Sequence, residues 1–159
     1  MLKNTLPRFG ITTTFVDPDN VDNFKDALRV NTKVFFAESL GNPKLDVIDL
    51  EGITNHARDA KVLFIVDNTI ASPALLNPIE HGANIVIHSL TKYITGNGTT
   101  LGGIIIDAGT FDYSSGRFPE FTEPSPSYHG LKYHEALGPL AFIAKTRVEG
   151  LRDLGSAPS

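Results

Sequence analysis

The chain contains no cysteine among its 159 residues, which excludes disulfide bonds, thiolate nucleophiles and cysteine-based zinc sites. No apolar run approaches the roughly 18 residues of a membrane span, and the N-terminus lacks the apolar core of a signal peptide. The net charge of −4 comes from mixed acidic and basic residues, so there is no basic stripe for nucleic acid or an anionic membrane. We therefore expect a cytoplasmic globular protein whose partners are small molecules or proteins.

Four short apolar runs predict buried strands, because each is rich in β-branched or aromatic residues without polar alternation. Apolar residues at helical spacing predict a crossover helix over 46–60. The same spacing predicts a shorter helix over 17–30, with Asp19 or Asn20 as its N-cap. Strand and helix alternate, so we expect an α/β fold with a largely parallel sheet. The four predicted strands lie in residues 33–39, 61–68, 83–89 and 102–109.

The connections between these elements are of several kinds. Residues 90–101 are too few and too rich in glycine for a helical crossover, so the fourth strand should return antiparallel to the third. Residues 71–83 carry two prolines and predict a short or broken helix. Residues 112–128 predict a surface loop, whose aromatic side chains favour packing or a subunit interface over nucleic-acid binding. A helical pattern returns over 130–154, with a break expected at Gly138 and Pro139.

Polar side chains follow the first three predicted strands. Asn42 comes after the first strand, Asp67 ends the second, and Ser89, Thr91 and Lys92 follow the third. Functional groups of open α/β sheets gather beyond the carboxyl ends of the strands, so these residues should lie along one edge. A lysine amine, a carboxylate for a protonated ring nitrogen and hydroxyls for a phosphate are the groups that pyridoxal phosphate requires.

Each of these residues also has a simpler explanation. A lysine after a strand is most often a solvated surface residue, and Asp67 is a suitable N-cap for the next segment. Ser89 and Thr91 suit the capping of a turn, and Asn42 before a proline is an ordinary turn dipeptide. Their combination along one edge favours the cofactor site. The five histidines show no ligand spacing with carboxylates on a shared face, so we expect no metal site.

Three sequence segments carry a resemblance to a known family. VDNT at 66–69, followed by HSLTKYITGNGTTLGG at 88–103, resembles the Cys/Met metabolism family of fold-type I pyridoxal phosphate enzymes. ESLGNPKLDVIDL at 38–50 resembles the segment that precedes them in that family. Residues 115–139 are most similar to its O-acetylhomoserine sulfhydrylase branch. The resemblance implies the large-domain fold of these transferases, with an incomplete, mostly parallel sheet and flanking helices.

The resemblance also implies a role for each polar residue. Lys92 would bind pyridoxal 5'-phosphate covalently and move the protons on the substrate carbons. Asp67 would keep the pyridine nitrogen protonated, Ser89 and Thr91 would bind the phosphate, and Asn42 would lie near the cofactor's 3-hydroxyl and the substrate carboxylate. The implied reaction is γ-replacement, in which O-acetyl-L-homoserine and sulfide give homocysteine, or methanethiol gives methionine. A homotetramer is expected for the full-length family.

Family members are longer than this chain. The resemblance implies that residues 1–129 form the second part of the cofactor-binding large domain and that residues 130–159 form a helix leading toward a C-terminal domain. We expect an incomplete chain with little or no activity alone, because the family's ring-stacking tyrosine, part of its phosphate cradle and its carboxylate-binding arginine have no counterpart here. Two alternatives remain open: a cystathionine γ-synthase or γ-lyase of the same family, and an inactive fragment that associates with other subunits.

Overall fold

The four apolar runs form the strands of one open sheet in the computed structural model, which describes residues 1–155. The strands lie side by side in chain order, with β1, β2 and β3 parallel and β4 antiparallel to β3. This confirms the predicted α/β class, the largely parallel sheet and the reversed fourth strand. Every strand lies inside its predicted run: β1 is Val34–Glu38, β2 Leu63–Asp67, β3 Ile85–Ser89 and β4 Gly103–Asp107.

Short helices connect the strands and cover both faces of the sheet. Among residues 1–155, the α-helical segments are α1 (Asp22–Asp26), α2 (Leu50–Ala60), α3 (Ser72–Leu75), α4 (Pro119–Thr122), α5 (Tyr133–Leu137) and α6 (Ala141–Lys145). Tighter turns of 3-10 helix occupy Leu6–Phe9, Pro78–His81, Tyr113–Ser115, Pro126–Tyr128 and Gly138–Leu140, and wider helical turns occupy Leu90–Ile94 and Thr146–Leu154. None of the helices in this part of the chain is long and apolar enough to cross a membrane.

The crossover helix α2 begins where the sequence supplies a cap. Asp49 is its N-cap, and the Asp49 carboxylate accepts a hydrogen bond of 2.9 Å from the backbone N–H of Gly52. The apolar face of the helix buries Leu50, Ile53 and Ala57 against the sheet. The predicted crossover is therefore confirmed, with its first helical residue at Leu50.

Two hydrophobic cores lie on the two faces of the sheet, because successive strand side chains point to opposite sides. Phe64 and Val66 of β2 pack with the α1 and α2 side chains in the first core. Leu63 of β2 and Ile85 of β3 pack in the second core, against the helices and turns that follow β4. The sheet is thus the middle layer of three, as its doubly apolar strands predict.

The first helix is shorter than predicted. It covers Asp22–Asp26, and its N-cap is Val21 where Asp19 or Asn20 was expected. Asn20 still supports the first turn, since its side-chain oxygen accepts from the N–H of Asp22 at 3.0 Å. The helix ends early because the N–H of Arg29 donates to the hydroxyl of Thr32 at 2.9 Å, where a longer helix would use a carbonyl.

The segment 112–128, predicted as a surface loop, is partly buried and contains helix α4 between two short turns of 3-10 helix. Tyr113, Phe118 and Phe121 are buried, and the rings of Tyr113 and Phe121 stack with centroids 4.0 Å apart. The aromatic side chains therefore pack inside the chain and build the second core, which confirms the predicted packing. Proline and glycine mark the turns correctly, but the apolar rings between them hold the segment against the sheet.

The C-terminal helical pattern is interrupted where the sequence predicts it. Helix α5 ends before the turn Gly138–Leu140, and α6 follows immediately. Pro139 has no N–H to continue a helical ladder, which explains the break. Residues 156–159 of the predicted 130–159 segment lie outside the described residues.

Candidate active site

Strand register brings three polar side chains to one corner of the sheet. Glu38 of β1 is the register partner of Asp67 of β2, and Asp67 is in turn the partner of Ile87. Because side chains alternate along a strand, Ser89 lies on the same face as Ile87 and Asp67. Two carboxylates and a hydroxyl therefore converge at the carboxyl edge of the parallel strands, as the sequence predicts for Asp67 and Ser89.

A pocket of about 190 Å³ opens at this corner. Four of the predicted site residues line it together: Asn42, Asp67, Ser89 and Lys92. The other lining residues are Glu38, Leu40, Thr69 and Ile70. Glu38 ends β1, and Thr69 follows the end of β2, so both lie next to predicted site residues in the sequence. Their residue types alone assign them no role.

Thr91 is the predicted site residue that does not line the pocket. Its hydroxyl oxygen accepts a hydrogen bond of 3.1 Å from the backbone N–H of Gly102. The N–H of Leu90 donates to the carbonyl of Gly102 at 2.9 Å. These two bonds fasten the lysine turn to the residue before β4, and they explain why this turn needs a hydroxyl beside the lysine.

Lys92 sits in the wide turn Leu90–Ile94 and is exposed. Its backbone dihedrals, φ −95° and ψ −116°, depart from the helical values of the turn. The N–H of Gly96 donates to the Lys92 carbonyl at 2.9 Å, and the N–H of Thr95 donates to the carbonyl of Leu90 at 3.1 Å. Within residues 1–155 no carboxylate forms an ion pair with the Lys92 amine.

A hydrogen-bonded chain links Asp67 to the end of β3. The backbone N–H of Thr69 donates to Asp67 Oδ1 at 3.0 Å, and the Thr69 hydroxyl bonds to the same oxygen. The Thr69 hydroxyl oxygen also accepts from the backbone N–H of Ser89 at 2.8 Å. Asp67 lines the pocket, and its Oδ2 forms no hydrogen bond with any of residues 1–155, so one carboxylate oxygen is free to accept one.

A buried hydrogen-bond network centred on Asn68 fixes the ends of β2 and β3. Asn68 is fully buried, and its side-chain oxygen accepts from the hydroxyl of Ser39 at 2.7 Å. The Asn68 amide donates to the carbonyl of Leu76 at 2.8 Å, and the buried His88 ring bonds to the Asn68 carbonyl at 3.0 Å. A buried amide with its partners satisfied fixes the backbone on either side of it, and that backbone carries Asp67 and Thr69.

The turn after β1 is held by Glu38. Its carboxylate accepts a hydrogen bond of 3.0 Å from the backbone N–H of Asn42. This bond brings the exposed Asn42 to the rim of the pocket. Glu38 therefore acts on the turn that carries Asn42, and it lies across the register from Asp67.

Two of the groups with shifted pKa values, Asp107 and Tyr113, lie at or just beyond the end of β4, away from the strand-end pocket. Burial raises the pKa of Asp107, at the end of β4, and the hydrogen bond from the N–H of Gly109 offsets part of that rise. Burial, and secondarily the charge of Asp107, raise the pKa of the Tyr113 phenol. Tyr113 belongs to the second core, and neither group lines the strand-end pocket.

The donor set of the pocket suits pyridoxal phosphate. Lys92 offers a primary amine, Asp67 offers an open carboxylate oxygen, and the Ser89 hydroxyl has no partner among residues 1–155. These are the groups needed for covalent attachment to an aldehyde, for a protonated ring nitrogen and for a phosphate. The open oxygen and the open hydroxyl are the structural observations that carry this fit.

Comparison with known proteins identifies relatives over the whole chain. The family model described as Cys/Met metabolism PLP-dependent enzyme matches residues 1–139. An O-acetyl-L-homoserine sulfhydrylase from Leptospira meyeri is 50% identical, over 100% of this chain and 38% of that protein. A homocysteine synthase from Schizosaccharomyces pombe is 48% identical, over 98% of this chain and 37% of that protein. The chain thus spans a little over a third of the length of these curated relatives.

A solved structure matches the fold. The Campylobacter jejuni protein described as an O-acetylhomoserine (thiol)-lyase superposes with a TM-score of 0.92 at 39% identity. The match covers 98% of this chain and 39% of that one. The Campylobacter structure contains N'-pyridoxyl-lysine-5'-monophosphate.

Proposed function

Because this chain belongs to the Cys/Met metabolism PLP-dependent enzyme family, we propose that its strand-end pocket is the pyridoxal 5'-phosphate site of an O-acetylhomoserine sulfhydrylase. The observation that carries the proposal is the convergence of Lys92, Asp67 and Ser89 on one pocket. The sulfhydrylase and homocysteine synthase names of the relatives support the choice of reaction. The reaction would place the chain in methionine biosynthesis.

Each predicted site residue has a task in this proposal. Lys92 holds the cofactor through its amine, and Asp67 directs its open oxygen at the ring nitrogen. Ser89 and Thr91 bind the phosphate through their hydroxyls. The Thr91 hydroxyl gives up its hydrogen bond with Gly102 when it does so. Asn42, held by Glu38, meets the cofactor's 3-hydroxyl and the substrate carboxylate.

The proposed reaction exchanges the γ substituent of O-acetyl-L-homoserine. The bond from the γ carbon to oxygen breaks and acetate leaves, and sulfide forms the new carbon–sulfur bond of homocysteine. Bound pyridoxal phosphate supplies the electron sink for this chemistry. Lys92 is the one amine among the pocket-lining residues, so it is the group that accepts and returns the protons at the α and β carbons.

The complete enzyme would use more than this chain. The substrate is an amino acid, the family's homotetramer supplies further groups around the pocket, and the biosynthetic role fits a cytoplasmic location. Residues 1–129 would be the second part of the cofactor-binding domain, and residues 130–159 would lead toward the C-terminal domain. The share of the relatives that this chain covers supports a division of the site between segments.

Product analysis tests the proposal. The purified chain is incubated with pyridoxal phosphate, O-acetyl-L-homoserine and either sulfide or cysteine, and the products are identified by mass spectrometry. Homocysteine formed with sulfide at a low rate, and absent with Lys92→Ala, is the expected result, because the chain alone lacks part of the family's site. Cystathionine formed preferentially with cysteine would favour the cystathionine γ-synthase or γ-lyase alternative. No product from the chain, together with stable binding to a longer relative, would favour the inactive associating fragment.

A further inference from the structure

Thr69 occupies a position in the pocket that none of the roles above uses. Its hydroxyl contacts Asp67 Oδ1 on one side and the backbone N–H of Ser89 on the other. It therefore bridges β2, which ends in the carboxylate, and β3, which ends in the hydroxyl. Resting on the proposed cofactor site, we propose that Thr69 is a positioning residue that aims Asp67 at the ring nitrogen of pyridoxal phosphate.

The direction of the hydrogen bonds follows from the chemistry of the donors. A backbone N–H can only donate, so the Ser89 N–H uses a lone pair of the Thr69 oxygen. The Thr69 hydroxyl has a single proton, and it donates that proton to its other partner, Asp67 Oδ1. The chain runs from Ser89 through Thr69 to Asp67, and each member donates toward the carboxylate.

This arrangement fixes which carboxylate oxygen faces the ring. Oδ1 receives both the Thr69 hydroxyl and the Thr69 N–H, so rotation of the carboxylate would break two hydrogen bonds at once. Oδ2 is left for the ring nitrogen. Hydrogen bonds to an ionised acceptor are the stronger ones, so this pair is well suited to hold the Asp67 side chain in one orientation.

The same bridge ties the ring end of the site to the phosphate end. The Ser89 N–H that donates to Thr69 belongs to the residue whose hydroxyl faces the phosphate in the proposal. A shift of β3 against β2 would change the distance between the two ends of the cofactor site. Thr69 therefore sets the spacing between the carboxylate and the phosphate-binding hydroxyl.

The test compares two ligands that differ only at the ring nitrogen. Binding of pyridoxal phosphate and of its 1-deaza analogue, which has carbon in place of that nitrogen, is titrated by absorbance for the unaltered chain, Thr69→Val and Thr69→Ser. Thr69→Val should weaken the binding of pyridoxal phosphate by about tenfold. The affinity for the deaza analogue should stay within about twofold of that of the unaltered chain. Thr69→Ser, which keeps the hydroxyl, should restore binding of pyridoxal phosphate.

Thr54→Val is the matched control. Thr54 is a buried threonine, whereas Thr69 is half-buried, and the Thr54 hydroxyl donates to the backbone carbonyl of His81 at 2.9 Å, away from the pocket. The Thr54→Val variant should leave the ratio of the affinities for the two ligands unchanged. An equal loss for both ligands in Thr69→Val, or no loss, would overturn the positioning role. Failure of the unaltered chain to bind pyridoxal phosphate at all would contradict the proposed function, and this inference with it.

Discussion

At the scale of single residues, the packing of Tyr113 changes the pKa of its own hydroxyl. Its ring is buried against Phe121, and its hydroxyl has no hydrogen-bond partner among residues 1–155. Burial raises the pKa of this phenol, so the folded state favours the neutral form. The resulting stability is fully present below the ordinary pKa of 10.0 and is lost as the pH rises through the higher folded value.

Tyr113→Phe should therefore preserve the free energy of unfolding at neutral pH, or raise it by up to about 1 kcal/mol, because it removes an unpaired buried hydroxyl. Above the ordinary phenol pKa, the variant should lose less stability than the parent. Urea unfolding at neutral and alkaline pH measures both effects, with the exposed Tyr93→Phe as control. A destabilised variant at neutral pH would show that the hydroxyl has a partner in solution.

Asp107 gives a second prediction of pH dependence. Its pKa is raised by burial, so its contribution to stability is complete below 3.8 and is lost as the pH rises through the folded value. At neutral pH the charged carboxylate therefore opposes folding. Asp107→Asn keeps an acceptor for the N–H of Gly109 and should raise the melting temperature at neutral pH. The gain should vanish below 3.8, and an equal gain at both pH values would contradict this explanation.

The individual site residues could be predicted from the sequence only in part. Asp67 and Ser89 end strands, and Lys92 follows one. These positions indicate that all three lie at the carboxyl edge of the sheet, because the carboxyl ends of parallel strands lie side by side. The bridge through Thr69 depends on the register of β2 against β3, which no local pattern contains. The pairing of the Thr91 hydroxyl with Gly102 depends equally on the return of β4.

At the scale of the secondary-structure elements, α2 depends on its cap. Asp49→Ala removes the acceptor of the Gly52 N–H and should lower the free energy of unfolding by about 1 kcal/mol. Asp59→Ala, an exposed change in the same helix, should stay within about 0.5 kcal/mol of the parent. Chemical denaturation measures both variants, and equal effects would mean that the cap contributes nothing specific.

The end of the turn Pro78–His81 requires glycine for two reasons. Gly82 has φ 92°, and a Cβ there would collide with the Cγ2 methyl of Thr54. Gly82→Ala should therefore cost more stability than Gly116→Ala, whose φ is 82° but whose surroundings are open. Thr54→Ser removes the methyl and keeps the hydroxyl, so it should recover part of the loss in the double variant. No recovery in thermal unfolding would refute the steric explanation.

The elements differ in how well the sequence predicts them. The apolar strand runs and the helical spacing of apolar residues in α2 are local signals, and both are confirmed. The length of α1 is set by a hydrogen bond from Arg29 to Thr32, and the course of 112–128 is set by rings that pack on the sheet. The first is a local side-chain contact that the apolar spacing does not show. The second is tertiary packing, which the sequence indicates only through its aromatic residues.

At the scale of the whole molecule, apolar surface remains uncovered. Phe36 of β1 is 44% exposed and Ile105 of β4 is 51% exposed, and both lie on the sheet face that carries Asp67. Among residues 1–155, β1 and β4 are also the two edges of the sheet, each with one unpaired side. Exposed edges and apolar patches promote association.

The chain alone should therefore self-associate as its concentration rises. Phe36→Lys combined with Ile105→Lys should reduce this association, because two charges replace two exposed apolar side chains, while the far-ultraviolet circular dichroism stays unchanged. Sedimentation velocity over a concentration series measures the effect. A parent chain that stays monomeric at every concentration would contradict the prediction.

The central claim is that this chain carries the lysine of a pyridoxal phosphate site, and reductive labelling tests it most directly. The purified chain is mixed with pyridoxal phosphate, reduced with borohydride, digested and mapped by mass spectrometry, beside the Lys92→Ala variant. The account predicts one labelled peptide, with the pyridoxyl group on Lys92, and no specific label in the variant. Label spread over exposed lysines, or equal label in both proteins, would contradict it.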